Sequence, residues 1–220
     1  YAIAYKPNLA FYEALGVEGL KSLEKTIQYI NGRAFTIADA KRGDIGNTAE
    51  MYAHAFYNHY GFDSITLSPY MGADTVEPFL KHKDKWSIIL ALTSNPGADD
   101  FEMLKVDDDY LFERILKKFN TATSQQIMFV VGATRPQYFE IVRKHAPDNF
   151  LLVPGIGTQG GSLEEVCRYG LNSNVGLIVN SSRQIIYAGS GRDFDNKAAE
   201  QAKQIQQQMK QMLVEFKITG

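Results

Sequence analysis

The stretch AFTIADAKRGDIGNT, residues 34–48, contains the most informative pattern in this chain, a strand followed by charged residues. It begins as an apolar run typical of a core strand and then places Asp39, Lys41 and Asp44 close together. Charged groups at the end of a core strand are costly to bury unless opposite charges neutralise one another. The alternating signs therefore indicate a pocket that keeps its charges ionised, as suits a reaction in which negative charge moves.

Strand-like runs alternate with helical segments along the whole chain, and the runs are apolar on both faces, which favours a parallel α/β sheet. The predicted strands are Tyr1–Tyr5, Phe35–Asp39, Ser64–Leu67, Ser87–Leu92, Ile127–Val131, Phe150–Pro154 and Gly176–Val179. The predicted helices are Leu9–Leu15, Thr48–Tyr60, Thr75–Lys81, Tyr110–Phe119, Pro136–His145, Leu163–Tyr169 and Asn196–Phe216. Both a (β/α) barrel and an open doubly wound sheet fit this order.

Polar residues at the ends of nearly all the predicted strands favour the barrel. Barrels build their sites from many strand ends, whereas open sheets concentrate theirs at one switch point. These residues are Lys6, Asp39, Lys41, Ser68, Thr93, Ser94, Gln159 and Arg183. The chain starts within an apolar run without Met, so we expect a preceding stretch to be absent. We predict one (β/α)8 TIM-barrel domain over residues 1–220 that lacks its first βα unit.

Composition excludes several classes of function. The net charge is −2 with both signs mixed along the chain, so neither a nucleic-acid footprint nor a polybasic membrane patch is present. The one cysteine, Cys167, cannot form an internal disulfide, and no Cys/His cluster has the spacing of metal ligands. No apolar run approaches the roughly 18 residues of a membrane span, and no signal peptide is recognisable. We expect a cytoplasmic protein without a metal site.

Strand geometry predicts where the charges point. Asp39 and Lys41 share one face if the extended conformation persists, roughly 7 Å apart along the strand. Lys6 ends an earlier strand and would reach the same mouth of the barrel. Asn47 and Glu50 have the spacing of a capping box, so we expect a helix to begin near them. For Asp44 the alternative is that it merely favours the positive end of that helix.

Two loops late in the chain have the features of an anion site. PGIGTQGG, residues 154–161, is rich in glycine, which lets backbone N–H groups approach an anion. Arg183 follows the last predicted strand and would clamp a phosphate through two N–H groups. Barrels frequently bind phosphate with the loops after their last two strands. The alternative is that the glycines only form turns and Arg183 is a surface charge.

Together these motifs resemble the orotidine 5′-phosphate decarboxylase family. DAKRGDIGNT, residues 39–48, matches its Asp-x-Lys-x-x-Asp motif, and YKPNLAFYE, residues 5–13, resembles its preceding strand with a Lys. TSNPGADDF, residues 93–101, resembles the loop that reads the pyrimidine. PGIGTQGG and NSSR, the latter at residues 180–183, resemble the phosphate site. The segments Ser-Asn-Pro-Gly, residues 94–97, and Asn-Ser-Ser-Arg, residues 180–183, are similar to those of the longer-chain bacterial subgroup of the family. The family's ribose-binding Asp of the first strand would precede Tyr1.

The resemblance implies decarboxylation of orotidine 5′-monophosphate (OMP) to UMP and carbon dioxide in pyrimidine biosynthesis, without metal or cofactor. Lys6, Asp39 and Lys41 of one subunit of a homodimer would form a charge tetrad with Asp44 of the partner subunit. Lys41 would protonate carbon 6 of the pyrimidine. The residues that would bind substrate are Thr48, supplied by the same partner, and Ser94, Pro154, Gln159 and Arg183.

Two alternatives remain open. The first is a related Mg²⁺-dependent barrel that acts on sugar phosphates as a decarboxylase or synthase and has a similar Asp-x-Lys-x-x-Asp arrangement. The loop Ser94-Asn95-Pro96-Gly97 argues against it. The second is a non-catalytic nucleotide-binding barrel. The complete set of alternating charges argues against that, because binding alone does not need it.

Overall fold

The structure is a computed structural model that describes residues 1–121, 126–157 and 160–218. The chain divides into two compact units, described separately below. The first unit comprises Ile3–Leu90 and Thr121–Met128, and the second comprises Tyr1–Ala2, Ala91–Asn120 and Phe129–Gly220. The single domain expected from the sequence stays a prediction.

The first unit contains a parallel sheet with its strands in chain order. Its strands are β1 (Ala4–Tyr5), β2 (Phe35–Arg42), β3 (Ser64–Leu67) and the first part of β4 (Trp86–Leu92). Its helices are α1 (Leu9–Glu13), α2 (Gly16–Ile30), α3 (Gly46–Ala53), a π-helix (His54–His59), a 3₁₀ turn (Ala73–Thr75) and α4 (Glu77–Leu80).

The second unit contains the end of β4, a short antiparallel hairpin and three further strands. These are β5 (Lys105–Val106) and β6 (Asp109–Tyr110) of the hairpin, then the end of β7 (Ile127–Val131), β8 (Leu151–Val153) and β9 (Leu177–Val179). The pairs β7–β8 and β8–β9 are parallel. The helices are α5 (Ala98–Phe101), α6 (Leu111–Phe119), a 3₁₀ turn (Pro136–Tyr138), α7 (Phe139–His145), α8 (Leu163–Gly170), α9 (Arg183–Ile186) and α10 (Phe194–Glu215).

The core of each unit is formed by strand residues that are buried on both faces of the sheet. Ile37, Ile65 and Ile88 are fully buried in the first unit, and Phe129 and Leu151 are fully buried in the second. This is the pattern of parallel strands covered by helices, as the apolar runs predict. Of the helices in the described part of the chain, none combines the length and the apolarity that crossing a bilayer requires.

Helix α2 is the largest element that the sequence prediction missed. Leu23, Ile27 and Ile30 face the core from α2 at the spacing of one helical face. Asn31, in the left-handed conformation with φ +43°, ends the helix. The stripe of apolar residues was therefore a readable signal. Glycines at 16 and 19, which lower helix propensity, obscured it.

The helix expected near Asn47 and Glu50 is present, but the predicted capping box is wrong. Helix α3 begins at Gly46, its N-cap is Ile45, and no side chain caps it. The Glu50 carboxylate instead accepts a hydrogen bond from Lys81 at 2.7 Å. A tertiary ion pair has thus replaced the local cap that the spacing suggested.

Candidate active site

Asp39 lies at the centre of a cluster of three charges in the first unit. Lys6 Nζ is 2.5 Å from Asp39 Oδ2, and Lys41 Nζ donates to the other oxygen, Oδ1. The Asp39 side chain is 7% exposed, that of Lys6 13% and that of Lys41 51%. Each carboxylate oxygen therefore holds one ammonium group, and only the Lys41 side of the cluster is open.

Backbone pairing beyond the end of β1 places Lys6 in this cluster. The N–H of Asp39 donates to the carbonyl of Pro7 at 3.1 Å, and Asn8 forms a parallel bridge with Asp39. Because the chain stays paired with β2 on both sides of Lys6, the position of this lysine is determined by strand register. The predicted convergence of two ammonium groups and a carboxylate is confirmed for these three residues.

The two lysines of the cluster favour the ionised form of the Asp39 carboxyl group. Burial alone would raise the pKa of Asp39, but the ammonium groups of Lys6 and Lys41 outweigh it and hold the pKa below its ordinary value. Asp39 is therefore ionised at neutral pH although its side chain is almost completely buried. Such an arrangement presents fixed charges to a ligand without reorganisation.

An extended conformation through Lys41, the condition for Asp39 and Lys41 to share one face, is not observed. Strand β2 continues to Arg42, but its register with β3 shifts, so that Asp39, Ala40 and Lys41 lie opposite the single residue Thr66. Lys41 has φ +48°, in the left-handed region. This bulge breaks the alternation of faces and allows the Lys41 side chain to reach back to Asp39.

Asp44 and Thr48 do not join the cluster within one chain. Asp44 is half-buried, and its Oδ1 accepts the backbone N–H of its neighbour Ile45 at 2.8 Å. Among the ion pairs of residues 1–121, 126–157 and 160–218, none includes Asp44. Thr48 is exposed in the first turn of α3. The structure thus brings together three of the four predicted tetrad residues.

The loop that carries Ser94 is tightly held within the second unit. The Glu102 carboxylate accepts the Thr93 N–H at 2.6 Å and the Thr93 hydroxyl at 2.9 Å. Thr134 Oγ1 donates to the Ser94 carbonyl at 3.0 Å. A Cβ at Gly132 would lie 2.6 Å from Ser94 Cα, so only glycine fits there. The sequence prediction missed Glu102, because its link to Thr93 spans a loop and leaves no periodic signal.

The loop after β8 is built from glycines in conformations that other residues rarely adopt. Gly155, Gly157 and Gly160 have φ of +100°, +71° and +89°. The loop closes on itself, since the Gly161 N–H donates to the Gly155 carbonyl at 3.1 Å. Pro154 precedes it and accepts the Ala133 N–H at 2.9 Å. Gln159, a predicted phosphate ligand, lies outside the described residues.

Arg183 is the first residue of α9, and its side chain is exposed. The loop that contains Gly155, Gly157 and Gly160, here called the glycine loop, lies against this short helix, because a Cβ at Gly157 would be 3.1 Å from Gln184 Oε1. Asn180, just before α9, donates its N–H to the Val153 carbonyl of β8 at 2.9 Å. Two of the predicted phosphate elements are therefore adjacent in the second unit.

The chemistry available to the three-charge cluster is electrostatic stabilisation and proton transfer. Each oxygen of Asp39 is occupied by an ammonium group, so the cluster presents lysine protons rather than free carboxylate ligands. In the described part of the chain, no group of three or more His, Cys, Asp or Glu side chains could hold a metal ion. A developing anion next to Lys41 would be stabilised by its charge and could take its proton.

Residues 1–200 match the orotidine 5′-phosphate decarboxylase / HUMPS family. The chain belongs to this family. It is 56% identical over 213 residues to the orotidine 5′-phosphate decarboxylase of Christiangramia forsetii, covering 95% of this chain and 78% of that protein. The orotidine 5′-phosphate decarboxylase of Bacteroides fragilis is 55% identical over 97% of this chain and 80% of its own length.

The solved structure of Leishmania donovani OMP decarboxylase resembles the chain with a TM-score of 0.82. It is 37% identical, and the match covers 92% of this chain and 80% of that one. This likeness confirms the predicted fold class, a (β/α)8 TIM barrel, and the described residues supply seven strands of its sheet. The family predicted from the motifs is likewise confirmed.

Proposed function

We propose that Lys6, Asp39, Lys41 and Asp44 are the charges with which this enzyme decarboxylates OMP to UMP and carbon dioxide in pyrimidine biosynthesis. The observation that carries this assignment is the buried Asp39 carboxylate with one ammonium group on each oxygen. Names of relatives at 52–56% identity support the reaction, and all carry the name orotidine 5′-phosphate decarboxylase.

The cluster acts on the carbon–carbon bond at carbon 6 of the pyrimidine. As carbon dioxide leaves, the electron pair of the broken bond remains on carbon 6. The Lys41 ammonium stabilises that charge and donates a proton to the carbon, and the resulting amine regains its proton from solvent. Asp39 lies beside the departing carboxylate and holds one ammonium group on each of its oxygens. Because the charges are in place beforehand, little reorganisation accompanies the transition state.

The remaining residues bind the ends of the substrate. Ser94, on a loop held by Glu102 and Thr134, hydrogen-bonds the pyrimidine. Pro154, Gln159 and Arg183 belong to the phosphate end, which the glycine conformations and the exposed Arg183 side chain support. Binding energy from the phosphate is used to organise the distant reacting carbon. No metal or cofactor takes part in these steps.

The deciding experiment follows the loss of OMP absorbance by the full-length enzyme in excess EDTA, with UMP quantified as product. Undiminished turnover supports the proposal. Turnover that needs added Mg²⁺, or that is found only with sugar phosphates, indicates the metal-dependent branch. UMP binding without conversion of OMP indicates a nucleotide-binding protein.

The active site is shared across a homodimer, with Asp44 and Thr48 supplied by the partner subunit. The three clustered charges sum to +1, and the half-exposed Lys41 leaves room for a second carboxylate. Asp44 of the same chain bonds only its own loop among the contacts described above. A carboxylate from the partner would complete the alternation of signs and neutralise the set.

Mixing two inactive variants tests this sharing. When Lys41→Ala and Asp44→Ala subunits exchange, half the dimers are mixed, and each mixed dimer has one intact site. Activity should therefore return to about a quarter of wild type for a two-fold interface. Tagged chains verify exchange. If exchange occurs and no activity returns, Asp44 serves its own subunit.

The enzyme works in the cytoplasm. The single cysteine supports this location, because Cys167 cannot form an internal disulfide and chains without disulfides are typical of reducing compartments. Fractionation of cells that express the full-length protein checks the location. Recovery with membranes or in the medium would contradict it.

A further inference from the structure

The bulge in β2 leaves backbone groups without their ordinary partners in the sheet. Ala38 pairs with Ile65 and Arg42 pairs with Leu67, so three residues of β2 face one residue of β3. The N–H groups of Ala40 and Lys41 lie in this irregular segment, where regular ladder bonds are lost. Buried N–H groups without partners are rare in folded proteins, so another acceptor must serve them.

Thr66 is that acceptor. Its Oγ1 accepts the Ala40 N–H at 3.0 Å and the Lys41 N–H at 2.9 Å. The hydroxyl proton is directed toward Ala38 O or Asp39 Oδ1, each at 3.4 Å. A hydroxyl can accept two hydrogen bonds and donate one, so this side chain is fully used. Thr66 is 1% exposed, which keeps water from replacing it.

We propose that Thr66 is a positioning residue for the reaction, because its hydroxyl shapes the bulge that aims the Lys41 ammonium at Asp39. Lys41 is held at φ +48°, a conformation that is unfavourable for a side chain with a Cβ. Something in the surroundings must hold it there. The bond from the Lys41 N–H to Thr66 is 2.9 Å long and acts on the strained residue itself.

This role differs from simply joining two strands. Thr36, at the other end of the same strand pair, links β2 to Asp63, the residue just before β3: its hydroxyl donates to Asp63 Oδ2 at 2.7 Å and accepts the Asp63 N–H at 2.9 Å. Thr36 lies at the opposite end of β2 from the charges and is 3% exposed. It is therefore the matched control for a buried threonine that stabilises the same pair of strands.

The test compares Thr66→Val, which keeps the shape but loses the acceptor, with Thr66→Ser and with Thr36→Val. We expect Thr66→Val to lower kcat about 100-fold, the scale of a small misplacement of a catalytic group, with KM for OMP changed less than about threefold. Thr66→Ser should remain within about fivefold of wild type, since its hydroxyl restores the acceptor. Thr36→Val should lower the denaturation midpoint while kcat stays near wild type.

Several outcomes overturn the proposal. One is a wild-type kcat in Thr66→Val. Another is a kcat in Thr66→Ser that is as low as in Thr66→Val. The third is a loss of kcat in Thr36→Val equal to that in Thr66→Val. If Thr66→Val does not fold, Thr66→Ala replaces it, and UMP binding identifies the folded fraction. Equal turnover of Thr66→Ala and Thr66→Ser then contradicts the role.

The inference rests on the proposed function only through the kcat measurements. A second measurement therefore tests it without relying on activity. Carboxyl carbon NMR reports the pKa of Asp39 in the wild type and in each variant. If Thr66 aims Lys41 at Asp39, Thr66→Val raises that pKa, because one of the two ammonium groups that lower it moves away. Thr66→Ser and Thr36→Val leave it unchanged. An unaltered pKa in Thr66→Val overturns the proposal even if OMP proves not to be the substrate.

Discussion

The charge cluster of the first unit and the glycine loop of the second unit, which we propose to act on one substrate, are built in opposite ways. In the cluster, side chains supply the charges, and each charge already has a partner; Asp39 is buried, whereas Lys41 is half-exposed. In the glycine loop and α9, the backbone supplies the shape, and the charged group, Arg183, is exposed. A reacting group must be held before the substrate arrives, whereas a binding group can gain its partner on arrival.

Substitutions in the two regions should also differ in whether they change the turnover rate or the affinity for substrate. Changes in the cluster should act mainly on kcat, because its interactions matter most in the transition state. Changes at the glycine loop and α9 should act on KM and, through the use of binding energy, also on kcat. Four measurements test this distinction.

The largest effect is expected for Lys41→Ala. Loss of the proton donor and of its charge should reduce kcat by about 10³- to 10⁴-fold. UMP should still bind within about threefold of wild type, because Arg183 and the glycine loop, which are proposed to bind its phosphate, are unchanged. Steady-state kinetics and calorimetric titration with UMP check both statements. A variant that keeps a tenth of wild-type turnover would show that Lys41 is not the donor.

Arg183→Ala should have the next largest effect. Loss of a two-point contact to phosphate should lower kcat/KM for OMP about 100-fold, with KM raised and kcat reduced. Orotidine, the nucleoside without phosphate, is the diagnostic substrate and should be almost indifferent to the change. The exposed Arg192 of the same unit offers the control Arg192→Ala. Equal losses with both substrates would assign Arg183 to the base or to the fold.

Glu102→Gln tests whether the loop that carries Ser94 affects mainly KM, as expected for a binding region, or mainly kcat. The amide is a weaker acceptor than the carboxylate for the Thr93 N–H and hydroxyl, so the loop should loosen. We expect KM for OMP to rise roughly fivefold with little change in kcat. The exposed Glu140 provides the matched control Glu140→Gln. A fall in kcat at constant KM would place this loop with the charge cluster instead.

The smallest effect concerns acid stability. The pKa of Asp39 is lower in the folded state than in the unfolded chain, so its ionisation stabilises the fold above the unfolded pKa of about 4. That contribution is lost as the pH falls from about 4 through the folded-state pKa. The stability difference between wild type and Asp39→Asn should be constant from about pH 5 to 8 and shrink below about pH 4. Urea titrations at each pH measure it, and a constant difference throughout would contradict the assigned charge state.

Much of the fold could be predicted because its signals are local. The strands Ser64–Leu67 and Ile127–Val131 have the predicted bounds, since a short apolar run between turn residues is self-contained. The capping box at Asn47 and Glu50 failed for the converse reason. Spacing alone does not reveal that Lys81, distant in sequence, binds the Glu50 carboxylate.

The order of amino acids alone specifies which charges are available and which strands carry them. How these charges meet depends on the pairing of segments that are distant in the chain. Lys6 reaches Asp39 across 33 residues because the backbone beyond β1 pairs with β2, and Lys41 turns back because Thr66, 25 residues away, supports a bulge. Local propensity and periodicity describe a segment and its neighbours. Register between strands depends on which distant backbone groups pair, and that choice places the Lys41 ammonium on Asp39.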